Sequence, residues 1–152
     1  MTQFKKIQQM LSYDEGIEKT IYDDATGMRP ACKGYLTAGI GHNLDAHPLD
    51  DYVINYWLGQ DVEEAIATLD KLIPNWEVAG DNQQLGLINL AFNLGYTKLS
   101  KFTETLRLLN QKRYIEAAHA LSESLWASQV KSRANRVLLM IGKNEWPAEY
   151  ED

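Results

Sequence analysis

The sequence predicts an α+β chain, mostly helical, in which a small turn-rich lobe and a larger helical lobe share a helix. Three observations predict it. Six of the ten glycines (Gly16, Gly27, Gly34, Gly39, Gly41, Gly59) and two of the four prolines (Pro30, Pro48) fall before residue 60. Between Thr20 and Leu44, turn formers alternate with β-branched and aromatic residues, as in a small meander. Beyond residue 80 the chain is rich in Leu, Ala, Gln and Glu, with apolar positions recurring every three or four residues.

Taken in order, Phe4, Ile7, Gln8, Met10 and Leu11 approximate helical spacing and predict a short first helix ending near Gly16. The strings TIYD, ATGMRPACKG and YLTAGIGHNL predict strands joined by turns. From Leu49 to Ile73, the positions Tyr52, Val53, Tyr56, Trp57, Ala65, Ile66, Leu69 and Leu72 follow a helical period. This is one long helix with a weak point at Gly59, or two in sequence, stopped by Pro74. Asp81 with Gln84 reads as a capping box ahead of LGLINLAFNLG, and Gly95 as its C-terminal stop. Three more amphipathic segments follow: FTETLRLLN, YIEAAHALSESLW and RANRVLLMIG.

Composition narrows the function. The 152 residues fit one domain, with 45% hydrophobic and 24% charged residues in the ordinary globular range. Fifteen Lys plus Arg against 21 Asp plus Glu leave a formal charge of −6, which counts against nucleic acid and anionic membrane surfaces as partners. One cysteine, Cys32, excludes an intrachain disulfide and leaves too few thiolates for structural zinc. No apolar run approaches a membrane span, and MTQFKKIQQML lacks the apolar core of a signal peptide.

The chemistry concentrates between Asp14 and Leu44. Glu15 closes the first predicted helix and Asp24 lies on a glycine-flanked turn, eight residues between them. Paired carboxylates divide acid and base roles when their surroundings push their pKa values apart, and glycoside hydrolysis needs such a pair. GIGHNL lacks the third glycine and the following Lys-Ser or Lys-Thr of a phosphate loop. Its glycines read instead as a hairpin beside a cleft. Three histidines with no nearby Ser or Cys partner count against a nucleophilic triad.

The order DEG…IYDD…LTAGIGHNL resembles the phage lysozymes. The likeness continues through Gly59-Gln60-Asp61-Val62, through Asn89 to Gly95, and through Phe102-Thr103 and LRLLNQKRYIEAA. It ends in Arg133-Ala134-Asn135-Arg136-Val137 ahead of Trp146. The resemblance implies one lysozyme-like domain over 1–152. Its small β-containing lobe, with the cleft, spans 13–60; its helical lobe is made of 1–12 and 61–152, and a long helix joins the two. It implies a muramidase that hydrolyses the β-1,4 bond between N-acetylmuramic acid and N-acetylglucosamine. Glu15 falls on the general acid, Asp24 on the second carboxylate, and Thr37 on the threonine that helps place the attacking water. Arg133 matches an arginine that pairs with the acid, and His42 with Asp61 a structural pair. Asn43, Phe92, Asn93 and Thr105 match positions lining the sugar cleft.

Some features depart from the family. Twelve residues, 25–36, separate Asp24 from Thr37, more than the family's usual spacing, so the hairpin is longer. Asp23 adjoins Asp24, and strand register decides which faces inward. Cys32 competes for the same part, because some phage endolysins carry a cysteine there. Ala120 stands where the T-even type has a cleft asparagine.

The resemblance further implies a monomeric endolysin acting on peptidoglycan glycan strands, without cofactor, metal or membrane anchor. It would accumulate in the host cytoplasm and reach the periplasmic wall through a holin-dependent pore. Two rivals stand beside the inverting hydrolase: a lytic transglycosylase using Glu15 alone, and an inactive wall-binding module on the same fold.

Overall fold

The computed structural model describes the backbone of residues 18–23 and the whole of residues 25, 34–47 and 49–150. The first predicted helix, with Glu15 at its end, lies outside these, as do Asp24 and most of the 25–36 stretch with Cys32. The fold is α+β and mostly helical, as the sequence predicts. The chain divides into two compact units, Met1–Asn55 and Tyr56–Asp152.

In the first unit, β1 (Glu18–Asp23), β2 (Leu36–Gly39) and β3 (His42–Asn43) form an antiparallel sheet in the order β1-β2-β3, the meander expected of alternating turn and β-branched residues. Tyr22 stands opposite Thr37 and Asp23 opposite Leu36, with an irregularity between Glu18 and Tyr22. Ala38 pairs with His42, which leaves Gly39-Ile40-Gly41 as the loop of the second hairpin. Gly39 and Gly41 take φ of 65° and 66°, values a side chain makes costly, so the two glycines are required by the turn.

A single helix, α1 (Asp51–Leu72), follows and contains the division between the units. Its start is capped by the Asp50 carboxylate, which accepts the Tyr52 N–H at 2.7 Å. Gly59 does not break it. Its apolar face is buried only from Ala65 onward, through Thr68 and Leu69. Pro74 then forces the chain out of the helix into a 3₁₀ turn, Trp76–Val78, where the buried Trp76 donates its indole N–H to Asp70 at 2.8 Å.

The second unit continues as α2 (Asp81–Leu99), α3 (Thr103–Asn110), α4 (Tyr114–Ser122), α5 (Leu125–Val130) and α6 (Ser132–Lys143). Gly95, at φ 66° and ψ 171°, breaks α2 where a stop was expected, although one more turn follows it. The segment YIEAAHALSESLW is two helices rather than one. Ser124 ends the first by donating to the Leu121 carbonyl, and starts the next by accepting the Ala127 N–H. Leucines of α2, α3 and α4 meet Trp126, Val137, Met140 and Ile141 in one core. The close approach of α6 is set by small residues. A Cβ on Gly86 would lie 2.9 Å from the Met140 Cβ, and one on Gly142 would lie 3.1 Å from the Ala118 Cβ.

The capping box forms one residue earlier than Asp81–Gln84. Gly80 occupies the cap position, and its N–H is accepted by the Gln83 side chain at 2.9 Å. Glycine has no side chain with which to return the bond. The Asn144 carboxamide oxygen, from the end of α6, takes the Asn82 and Gln83 N–H groups at 3.0 and 3.1 Å instead. Gln84 turns away and donates to the Glu77 and Ala79 carbonyls.

Candidate active site

Thr37 sits mid-strand in β2 and is 4% exposed. Its hydroxyl donates to the Tyr35 carbonyl at 3.1 Å, so its lone pairs remain as acceptors. Asn43 ends β3 and uses its side-chain oxygen locally, accepting the Asp45 and Ala46 N–H groups at 3.0 Å each. This Asx turn leaves only the amide NH₂ of Asn43 to donate outward. His42 is exposed, its ring centroid 5.8 Å from that of His47. Glu15 and Asp24 lie outside the described residues.

Within the second unit, α1, α2, α6 and the C-terminal segment enclose a hollow of about 420 Å³. Phe92, 41% exposed, lines it with Asn89, Arg133, Met140, Trp146 and Tyr150. Its polar feature is the Arg133 guanidinium, whose Nε donates to the Asn89 Oδ1 at 2.9 Å. The Asn89 amide nitrogen points to the Tyr150 hydroxyl, a long contact of 3.5 Å. Tyr150 packs on Trp146 with ring centroids 5.0 Å apart, and the Arg136 guanidinium lies 5.3 Å from the Tyr150 centroid. The buried Arg136 Nε has no hydrogen-bond partner among the described residues. Among the described residues neither arginine has an ion pair, and no carboxylate lines the hollow. With Nε engaged, the outer edge of the Arg133 guanidinium can still bind a carboxylate.

Asp61 belongs to the second unit and lines a smaller hollow of about 190 Å³ with Glu64, Thr68, Phe92 and Gly95. His42 belongs to the first. Asn93 follows Phe92 on α2, but its oxygen accepts the Trp126 indole N–H at 2.6 Å, so its amide NH₂ is its only free donor. Thr105 is 4% exposed in α3 and lines neither hollow. Phe92 and Arg133 thus share one wall, while Asn93 and Thr105 lie elsewhere in the helical unit.

Ala120 lines a third hollow, of about 330 Å³, with Glu104, Arg107, Arg113, Glu116 and His119. Arg107 is tied to Glu104 at 2.7 Å, and Arg113 to Glu116. Hydrogen bonding to these guanidinium groups holds both carboxyls below their ordinary range. Among the described residues no group of three or more His, Cys, Asp or Glu could hold a metal, and no helix is long and apolar enough to cross a membrane.

Sequence reasoning missed Asn89, Trp146 and Tyr150 as parts of one wall. One signal was present: Asn89 and Asn93 are polar positions one turn apart inside the apolar run LGLINLAFNLG. Trp146 is 43% exposed on that wall.

Comparison with known proteins places this wall in context. The sequence profile described as phage lysozyme matches residues 12–138. The pre-baseplate central spike protein Gp5 of Enterobacteria phage T4 is 29% identical over 161 residues, covering 88% of this chain but 27% of the spike protein. The chain therefore spans about a quarter of that relative. Probable T4-type lysozyme 2 of Dictyostelium discoideum is 26% identical, over 87% of this chain and 91% of its own length. Probable T4-type lysozyme 1 of the same organism is 27% identical, over 89% and 92%. Matched across most of its length and carrying the α+β, mostly helical fold, the chain belongs to the phage lysozyme family.

Proposed function

We propose that this chain is a peptidoglycan muramidase, cleaving the β-1,4 bond between N-acetylmuramic acid and N-acetylglucosamine and so lysing a bacterial host. The observation that carries the reading is the family match over 12–138, which includes Glu15, Asp24, Thr37 and Arg133 in one span. In this reading Glu15 protonates the leaving glycosidic oxygen, while Asp24 and Thr37 activate a water on the opposite face, with inversion. Asn43, Phe92, Asn93 and Thr105 contact the sugar chain, and His42 with Asp61 braces the fold.

A carboxylic acid that donates near neutral pH must be shielded from water, whereas a neighbouring cation favours its ionised form. Arg133 therefore orients Glu15 in the free enzyme, and the arriving glycan desolvates it. One domain spans 1–152, with 13–60 the cleft-bearing lobe and 1–12 grouped with 61–152. The protein acts as a monomer, without cofactor or metal, and leaves the host cytoplasm through a holin-dependent pore.

Turbidity clearing of outer-membrane-permeabilised cells tests the reading. Glu15→Gln is expected to lose clearing by at least about a hundredfold while keeping the parent's melting temperature. Equal clearing by both proteins would overturn the acid assignment, and no clearing by the parent would point to a wall-binding module. Mass analysis of released fragments separates hydrolysis from transglycosylation, which leaves anhydro-sugar ends.

A further inference from the structure

We propose that the smaller hollow, where α1 faces α2, binds a primary alkylammonium group. Asp61, Glu64, Ala65 and Thr68 recur at the spacing of one helix face on α1. That face and the Ala91, Phe92 and Gly95 positions of α2 enclose about 190 Å³, entirely within the second unit. Small residues keep it open. Ala65 and Ala91 are 3% and 1% exposed and carry only a methyl group into the gap. A Cβ added to Gly95 would meet nothing within 4 Å.

The polar side chains around this space have no partners among the described residues. Thr68 is 5% exposed and lines the hollow, yet its hydroxyl makes no hydrogen bond, where buried polar groups are nearly always paired. Glu64, one turn earlier on the same face, and Asp61 beyond it have neither ion pair nor side-chain hydrogen bond. A hydroxyl, a carboxylate one turn away and an aromatic ring beside them suit a cation with several N–H donors and an apolar stem. A primary ammonium on an alkyl chain meets all three: it donates to the Thr68 hydroxyl and the Glu64 carboxylate, and its stem lies along Phe92. Asp61, about 10 Å along the helix from Thr68, adds charge at the rim and keeps oxygens enough to accept from His42 as well. A divalent metal fits worse, because among the described residues no three His, Cys, Asp or Glu side chains meet. In peptidoglycan the matching group is the amine on the diamino residue of the peptide stems; this last identification alone rests on the muramidase reading.

The full chain would be titrated by NMR with Nα-acetyl-lysine amide, beside Nα-acetyl-norleucine amide, which has the stem without the amine. The lysine probe is expected to bind at about 1 mM and the norleucine probe at least about tenfold more weakly. Glu64→Gln should weaken the lysine probe about tenfold, and Thr68→Val about fivefold. Thr68→Val should also melt at or above the parent's temperature, because it removes an unpaired buried hydroxyl. A merely structural hydroxyl would do the reverse, lowering the melting temperature and leaving affinity alone. Glu104→Gln removes the same charge elsewhere and should leave affinity unchanged. Equal binding of the two probes, or parental affinity in Glu64→Gln or in folded Thr68→Val, would overturn the proposal; if Thr68→Val does not fold, Glu64→Gln decides. On isolated peptidoglycan, N-acetylating the stem amines should raise the parent's KM at least about threefold and leave that of Glu64→Gln unmoved. An unchanged parental KM would overturn the wall amine as the ligand. A parent that binds the lysine probe but releases no glycan fragments overturns the muramidase reading and leaves the ammonium site standing.

Discussion

Lys131 joins α5 to α6 at φ 36° and ψ −97°, a conformation that only glycine adopts without strain. Its N–H still reaches the Ala127 carbonyl, and its carbonyl accepts the Asn135 N–H, so the surrounding helices hold it there. Lys131→Gly is expected to raise stability by about 0.5–1 kcal/mol, less than the full relief of strain, because glycine also gains freedom in the unfolded chain. Urea unfolding at constant slope would show it, and a lower midpoint would mean that the strain has been misassigned. Glu104 and Glu116 carry a different kind of residue-level dependence. Both have carboxyl pKa values lowered from 4.5 by hydrogen bonds from Arg107 and Arg113. A lowered folded value means the pairing contributes above pH 4.5 and is lost as pH falls through that lower value. Glu104→Gln/Glu116→Gln should therefore melt slightly below the parent at neutral pH and level with it in strong acid. A gap that widened on acidification would contradict the sign. The effect stays small because both pairs are exposed to solvent.

Among the elements, two glycines make opposite predictions. Gly59 lies exposed inside α1, and a Cβ added there meets nothing within 4 Å. Gly59→Ala should stabilise by about 0.5–1 kcal/mol, the usual cost of a mid-helix glycine. Gly80, at the start of α2, leaves room for Asn144, whose amide nitrogen would lie 2.3 Å from an added Cβ. Gly80→Ala and Asn144→Ala should each destabilise by about 1–2 kcal/mol, the first by displacing the cap and the second by deleting it. The double variant should lose less than the sum, since both changes remove one interaction. Additive losses in thermal or urea melts would refute the shared cap. The helices themselves were largely legible: FTETLRLLN and RANRVLLMIG match α3 and α6 within a residue or so. The break between α4 and α5 was not, because a serine that caps and a serine on a solvated face look alike until the chain bends.

For the whole molecule, the −6 charge acquires a meaning under the muramidase reading. Peptidoglycan is itself anionic, so long-range attraction cannot gather it, and binding rests on local contacts. Arg107 contributes little free charge, being tied to Glu104 and Gln111. Arg133 has no ion pair among the described residues. Activity on isolated peptidoglycan should stay flat or rise between low and moderate salt, where screening relieves repulsion. A steep fall in the initial clearing rate would contradict this.

By itself the sequence determined the mostly helical α+β class, the meander with its positive-φ glycines, and the collinear order that marks the family. Each is local, because helix and strand periods and turn chemistry are written within a few residues. Tertiary structure alone decided that Asn144 would cap a helix beginning some sixty residues earlier, and that Asn89 would hold Arg133 across 44 positions of chain. Those pairings arise only when α6 packs against α2 closely enough to need a glycine at 86, and no sequence period encodes which side chains meet across such a contact.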